Sequence, residues 1–516
     1  MHMKMFAAID VGSYELAMKI YELSEKKGIR EIDHIRHRIE LGTDTYANGK
    51  ISYERVDELC KILREFKDIM QTYGVDAYKA YGTSAIRETE NTTIVLDQIR
   101  IRTGIGIEVI SNSEQRFLDY KSVASKGEDF TSIIEKGTAI LDIGGGSIQI
   151  SLFDKDSLVS TQNLRLGILR MRERLSKLNP KSDQIEDLVE EMISNQIYNF
   201  KKMYLKDNNI KNIIIVDDYI APKLKNKIGS TGKEGYIDVA SYYGLVDELL
   251  SHNAEEMTEY LETTEENAFL FYLSAILIRK LANIFEAEYI WTPGGTLCDG
   301  MAYEYAEQNR IFASKHNFEQ DIIACAQNIS KRYMGSKKRG ETLEKITLAI
   351  FDSMKKFHGL GSRERLLLQI AALLHDCGKY ISLSAVAVSS YNIVMATEII
   401  GLSHTEREIV ANIVKYNHLD FDYYGELSKS TILDRKSYLI IAKLTAILRI
   451  ANALDKSHKQ KFKDITARLR DNTLFISVDN QVDITLEKGL FQEKADFFEE
   501  VYSVRPVIRQ RERKER

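Results

Sequence analysis

Phe6-Ala7-Ala8-Ile9-Asp10-Val11-Gly12-Ser13 and Ala139-Ile140-Leu141-Asp142-Ile143-Gly144-Gly145-Gly146-Ser147 are the two stretches whose reading decides the fold. Each is an apolar strand that ends in an aspartate and a glycine turn. Each then runs into alternating stretches that read as paired strands, Leu16–Leu23 and Ile32–Leu41 after the first turn and Ile148–Phe153 after the second. Glycine tolerates the backbone angles of such a turn and carries no side chain, so backbone N–H groups can approach a phosphate closely. The aspartate beside it is suited to hold a hydrated magnesium ion or to orient water. One such turn describes any tight hairpin with a capping aspartate. Two in one chain, each between strands, point to a remote internal duplication.

Outward from the first turn, Val56, Leu59, Cys60, Leu63, Phe66, Met70 and Tyr73 form a helical stripe with Ser52 as its N-cap. A strand over Val75–Tyr81, a helix near Thr92–Arg102, a strand over Ile107–Ile110 and a helix over Glu114–Ala124 complete an α/β domain. After the second turn come helices near Ile168–Leu178 and Gln184–Tyr204, the strand Ile213–Val216, a long apolar helix near Ala268–Phe285 and a strand-turn from Tyr289 to Gly295. From about Tyr305 strand signals vanish and helices dominate to about Ala453; Thr473–Val478 and Val482–Leu486 then alternate like a short hairpin before a charged tail. The expected domains are 1–125, 126–304, 305–460 and 461–516.

The chain of 516 residues is long enough for several cores, and 44% hydrophobic with 28% charged residues is ordinary globular usage. No apolar run in the sequence is long enough to read as a membrane span. The opening segment MHMKMFAAIDVG lacks a secretory pattern, which makes a cytoplasmic protein the expectation. Cys60, Cys298, Cys325 and Cys377 are scattered in apolar segments and read as core residues. A formal charge of −5 gives no global field for nucleic acid, so no sequence-specific nucleic-acid binding is expected; basic clusters at Lys223–Lys227, Lys337–Arg339 and Arg509–Arg516 are local.

The paired turns resemble the phosphate-binding loops of the sugar kinase, heat-shock ATPase and actin superfamily. Ala8 to Ser13, Leu41-Gly42 with Gly49 to Ser52, Gly82-Thr83-Ser84-Ala85-Ile86-Arg87, Ile107 to Ser111 and Leu141 to Ser147 together resemble the Ppx/GppA family, in order over the first 300 residues. That family hydrolyses the terminal phosphate of polyphosphate or converts guanosine pentaphosphate to tetraphosphate. The resemblance implies two actin-like (ribonuclease H-like) α/β domains with an interdomain cleft, an all-α domain and a short α+β C-terminal region. It implies polyphosphate or a guanosine polyphosphate as ligand and homodimerisation through the helical domain, for which the sequence itself shows no interface. Gly12, Ser13, Arg87, Gly144, Gly145, Gly146 and Ser147 would bind phosphate, with Mg2+ on Asp10 and Asp142.

Several family positions are altered. The run around the family's catalytic glutamate is Ser113-Glu114-Gln115-Arg116-Phe117, which places Gln115 on that glutamate; glutamine cannot serve as a general base. A helix register shifted by one residue would put Glu114 there instead, at the cost of about a 100° turn. The carboxylate that closes the second glycine motif is Gln149, Asp217-Asp218 stands where a Gly-Gly-Thr loop is expected, and Gly295 to Gly300 lacks the family's arginine. Such losses favour weak turnover, or a phosphate or nucleotide sensor without activity.

His375-Asp376 resembles the metal-binding doublet of HD phosphohydrolases, with His358 and His418 as candidate partners. Ser384 to Ser390 stands where longer relatives carry histidines, and Asn452 where a metal aspartate is usual, a poor exchange at a hard metal. The expectation for His375 and Asp376 is therefore a hydrogen-bonded pair that crosslinks helices, with metal hydrolysis in this domain the lesser alternative.

Overall fold

The computed structural model describes residues 3–126, 130–155, 157–181, 184–205, 209–216, 236–314, 316–427, 433–462, 465–479 and 483–511. Asp217 and Asp218 and the basic cluster Lys223–Lys227 lie outside the described residues, as does the tail beyond 511. The chain divides into two compact units, Met1–Phe318 and Glu319–Arg516.

The first unit holds two sheets of one plan. β1 (Lys4–Val11), β2 (Glu15–Ser24), β3 (Gly28–Arg38), β4 (Ala77–Gly82) and β5 (Glu108–Val109) lie in the order β3-β2-β1-β4-β5. β6 (Thr138–Ile143), β7 (Ile148–Asp154), β8 (Ser157–Leu164), β9 (Asn212–Val216), β10 (Tyr236–Asp238) and β11 (Tyr289–Trp291) lie in the order β10-β11-β9-β6-β7-β8. In both sheets an antiparallel three-strand meander leads into parallel strands added on the side of its first strand, β4 and β5 in one and β9 and β11 in the other, where β10 is an antiparallel edge. The two aspartate-glycine turns join the first and second strands of each sheet and are closed by the same bond, Gly12 N–H to Glu15 O and Gly144 N–H to Ser147 O, each 3.0 Å. The duplication read from the sequence is therefore a duplication of topology, down to the hydrogen bond that closes the turn.

The helix Tyr53–Thr72 starts at the expected N-cap: Ser52 accepts the Arg55 N–H, and Val56, Leu59, Leu63 and Phe66 face the first core. Helix Asn112–Lys126 follows β5, and helix Leu297–Gln308 packs beside it and on the first sheet, through Phe6, Ala8, Tyr21, Leu118, Met301 and Ala302. The expected boundary at 304/305 falls inside that helix. The packing is close because Gly300 has no side chain: a Cβ there would stand 2.0 Å from the Leu118 carbonyl oxygen.

Two helices, Glu265–Phe285 and Arg435–Leu454, are long and apolar enough to cross a membrane, contrary to the reading of the sequence by apolar runs alone. Of their apolar windows 67% and 78% respectively is buried within the fold, which identifies both as core helices.

The second unit is helical up to Leu454 and ends in a three-stranded sheet, β12 (Thr466–Arg470), β13 (Thr473–Asp479) and β14 (Arg505–Arg511), in the order β12-β13-β14. The hairpin partner of β13 is β12, not the expected Val482–Leu486. Asp471 and Asn472 both take positive φ, the two-residue turn that a tight antiparallel hairpin requires. Residues 485 and 486 instead open the helix Thr485–Tyr502, whose buried stripe Phe491, Ala495, Phe498 and Tyr502 outweighs a short alternation. That helix is the crossover that lets β14 lie parallel to β13.

Replacing Gly300 with alanine is expected to lower stability of the first unit by about 1–3 kcal/mol, since the helix pair must part to admit a methyl group. Urea unfolding of the variant beside the wild type measures it.

Candidate functional site

The two glycine turns meet at the mouth of a cleft of about 100 Å³ in the first unit, lined by Asp10, Gly12, Ser13, Thr83, Ser84, Gln115, Asp119, Asp142, Gly144, Gly145, Ser147 and Thr296. Their approach depends on glycine. A Cβ on Gly145 would stand 3.2 Å from that of Ser13, and one on Gly146 would run into the Tyr46 hydroxyl at 2.1 Å. Ser13 Oγ and the Tyr46 hydroxyl share a 2.9 Å hydrogen bond. Arg170 stacks over the Tyr46 ring, donates to the Gly146 carbonyl at 3.0 Å and pairs with Glu88.

Asp142, the last but one residue of β6, is the polar centre. Gln115 Nε2 and Gln149 Nε2 both donate to its Oδ2, at 3.0 and 2.9 Å. With their NH2 groups so engaged, the amide oxygens of Gln115 and Gln149 are buried without a hydrogen-bond partner. Asp119, one helical turn beyond Gln115 and on the same face, also lines the cleft. It is 4% exposed. Burial above all, then the Asp142 charge and hydrogen bond and the Asp10 charge, push its carboxyl well above the ordinary range against the pull of Arg116.

The sequence-derived residues separate. Asp10, Gly12, Ser13, Asp142, Gly144, Gly145, Ser147 and Gln115 come together in the cleft, with Gly146 packed at its edge. Glu114 is not among the lining residues: its carboxylate accepts the Ser111 N–H at 2.8 Å and so closes the first helical turn. Arg87 is likewise absent from the lining and donates to the Ile110 carbonyl at 2.7 Å, to Ser84 and to Asn112, pinning the segment that leads into the Gln115 helix. Asp119 escaped the sequence reading; its signal was the four-residue interval from Gln115. Asp299, in the altered turn Gly295 to Gly300, is buried between Lys19 at 3.0 Å and Lys126 at 2.9 Å. Burial opposes its ionisation, but the two ammonium groups prevail and hold its carboxyl at about 2.

Among the described residues no three acidic, histidine or cysteine side chains stand in metal-holding geometry. Magnesium needs fewer, since it keeps water and takes substrate phosphates alongside one or two carboxylates. Around Asp142 the buried amide oxygens of Gln115 and Gln149 have no hydrogen-bond partner and are oxygen donors of the kind a hard cation takes.

In the second unit His375 and Asp376 are bound into a different cluster. Arg339, 4% exposed, reaches Asp376 at 3.3 Å, Asp455 at 3.5 Å and Asn452 at 2.6 Å. His375 donates or accepts at Nδ1 with the Ala372 carbonyl, and its Nε2 lies 3.4 Å from Asp376. His418 bonds the His375 carbonyl, and both ring nitrogens of His358 are engaged by backbone groups. Arg339 is thus the cation among these acceptors. Burial, the largest influence, lowers His375 to about 3 and also holds His418 below the ordinary histidine value, so both are neutral near pH 7.

The Ppx/GppA phosphatase family matches residues 20–309, and domain III of Ppx/GppA phosphatases matches residues 323–496. Guanosine-5'-triphosphate,3'-diphosphate pyrophosphatase of Vibrio atlanticus is 21% identical, over 80% of each chain, and that of Aeromonas salmonicida 19% identical, over 86% of each. The crystal structure of an exopolyphosphatase from Cytophaga hutchinsonii is similar with a TM-score of 0.50 at 18% identity, covering 60% of this chain and 100% of its own. An exopolyphosphatase-like protein gives a TM-score of 0.52 at 19% identity, covering 60% and 99%.

Because His375 and His418 are held neutral in the fold and take up protons when unfolded, the unfolded chain binds more protons below about pH 6.5. Stability of the second unit is therefore expected to fall as pH drops below that value, and His375→Asn to flatten the dependence. Urea midpoints measured from pH 7.5 down to pH 5, each point about half a unit apart, give the slope.

Proposed function

The chain belongs to the Ppx/GppA phosphatase family, and on that premise we propose that it slowly releases the terminal phosphate of inorganic polyphosphate or of guanosine pentaphosphate in the cleft between its glycine turns. The observation that carries this reading is the arrangement at Asp142. Its carboxylate is fixed at the floor of the cleft by two amide donors, beside turns whose backbone can approach a phosphate closely. Asp10 and Asp142 would hold Mg2+, which when bound supplies positive charge against the phosphate oxygens. The oxygen acceptors around Asp142 fit such an ion.

The chain's own contribution is positional. Asp10 and Asp142 end equivalent strands of the duplicated sheets and frame the cleft from both sides. Gln115 orients Asp142 but accepts no proton, and absence of a general base lowers rates by about 10²–10⁴-fold. The same substitution favours a second reading, a binding protein that senses the polyphosphate or nucleotide without turning it over.

Phosphate release from each substrate with Mg2+ separates the two. The expected result is slow release, lowered by at least about 10²-fold in Asp142→Asn and raised in Gln115→Glu. A wild type that binds either substrate tightly and releases no phosphate is the sensor.

A further inference from the structure

We propose that the outward face of the sheet β12-β13-β14 binds single-stranded nucleic acid, with little regard to sequence, through arginines grouped around one aromatic ring. Residues directly opposed in neighbouring strands share a face, and alternate residues along a strand return to it. The register sets Arg468 beside Phe475 and Val507, Arg470 beside Thr473 and Arg505, and Thr466 beside Ser477 and Arg509. Four arginines and one phenylalanine thus stand on a single face. The other face is the core side, where Leu474, Ile476 and Val478 are buried. Arg468, Arg470, Arg505 and Arg509 are exposed, and no acidic residue occupies these three rows. Of the four, Arg505 alone pairs with an acid among the described residues, Glu499 at 2.8 Å. The Arg509 guanidinium lies instead over the half-buried Phe475 ring, 3.5 Å from its centroid.

Charge and stacking together name the ligand. The chain carries a formal charge of −5, so four exposed arginines on one small sheet concentrate positive charge against the overall sign. Guanidinium groups take phosphate oxygens two at a time. A bare phosphate chain would use the arginines and nothing else. A nucleic-acid strand would also use the Arg509–Phe475 stack, because bases stack on aromatic rings and on guanidinium planes alike. Thr466, Thr473 and Ser477 stand between the arginines; their short hydroxyl side chains leave the stack open to a flat base and can bond phosphate or sugar oxygens. The strand must be single, since a duplex keeps its bases stacked on one another. These rows hold no amide or carboxylate side chain to read base edges, so charge and stacking act on any sequence.

Fluorescence anisotropy of a short labelled oligouridylate with the full chain, in the absence of divalent cations, tests this. Binding is expected, with log K falling by about 3 per tenfold rise in salt, since each neutralised phosphate of a single strand contributes about 0.7. Arg468→Gln combined with Arg470→Gln, at two exposed positions, is expected to weaken binding at least about tenfold and to reduce that slope by about 1.4. Phe475→Leu is expected to weaken binding about fivefold. At equal phosphate concentration, inorganic polyphosphate is expected to displace the strand from the wild type less well than unlabelled strand does, and to lose that disadvantage in Phe475→Leu. The same sequence as DNA distinguishes the two sugar backbones, and binding of either supports the proposal. No binding, wild-type affinity in the double arginine variant, or displacement from the wild type by polyphosphate or by a duplex as readily as by the single strand overturns it. Should a variant not fold, thiouridine-bearing RNA cross-linked to the wild type gives a second measurement: adducts within 466–479 or 505–511 support the assignment, and adducts confined elsewhere overturn it.

Discussion

The second hairpin turn comes so close to Ser13 of the first, and to Tyr46 and Ser84, that it can carry no side chain at Gly145 and Gly146, and the first unit is arranged around that constraint. Gly145 meets Ser13, and Gly146 meets Tyr46 and Ser84. The turns are held to this separation from behind: each is closed by its own N–H to carbonyl bond, and Arg170 ties the Gly146 carbonyl to Tyr46 and Glu88. The strands leading into them are central in their sheets, so the aspartates at their ends, Asp10 and Asp142, are delivered by the most constrained backbone in the unit. A site built this way gains precision from position rather than from the number of its reactive groups.

Much of this was legible in the sequence because glycine, apolar runs and caps report on backbone. Ser52 marked a helix start, the two aspartate-glycine stretches marked equivalent turns, and alternation marked their flanking strands. What sequence patterns do not encode is where a side chain spends its hydrogen bonds. Arg87 stands in the expected segment, but its guanidinium is consumed by Ile110, Ser84 and Asn112. Glu114 is one residue from Gln115, yet a helix turns each residue by about 100° and sends Glu114 back to Ser111. The closing hairpin was misassigned because a five-residue alternation also fits the start of an amphipathic helix, and the longer stripe decides.

Two buried clusters of acids and amides show how the same residue types reach opposite ends. Around Arg339 charges of both signs are present. Arg339 Nε and Asp455 Oδ2 lack hydrogen-bond geometry but face one another at 3.5 Å, and His375 Nε2 faces Asp376 at 3.4 Å. The guanidinium supplies internally what an ion would otherwise bring, and an aspartate exchanged for Asn452 is consistent with a cation of single charge. Such a cluster crosslinks helices and has little to offer a ligand.

Around Asp142 the acids and amides are arranged differently. Both amides spend their donors on one carboxylate and keep their own oxygens buried without partners, while Asp119 bonds to Asp142 and faces Arg116. Neutral glutamines stand at 115 and 149, and the acid beside them is Asp119, one turn after Gln115. The Arg339 cluster offsets its unmet atoms by facing charges of opposite sign, whereas the two amide oxygens beside Asp142 have no such counterpart among the described residues, and each unmet acceptor is destabilising. The cleft tolerates that cost where Gly145 and Gly146 keep the second turn free of side chains beside Asp142, and the coincidence of bare backbone with unpartnered amide oxygens is what suits it to a phosphate and the cation that travels with it.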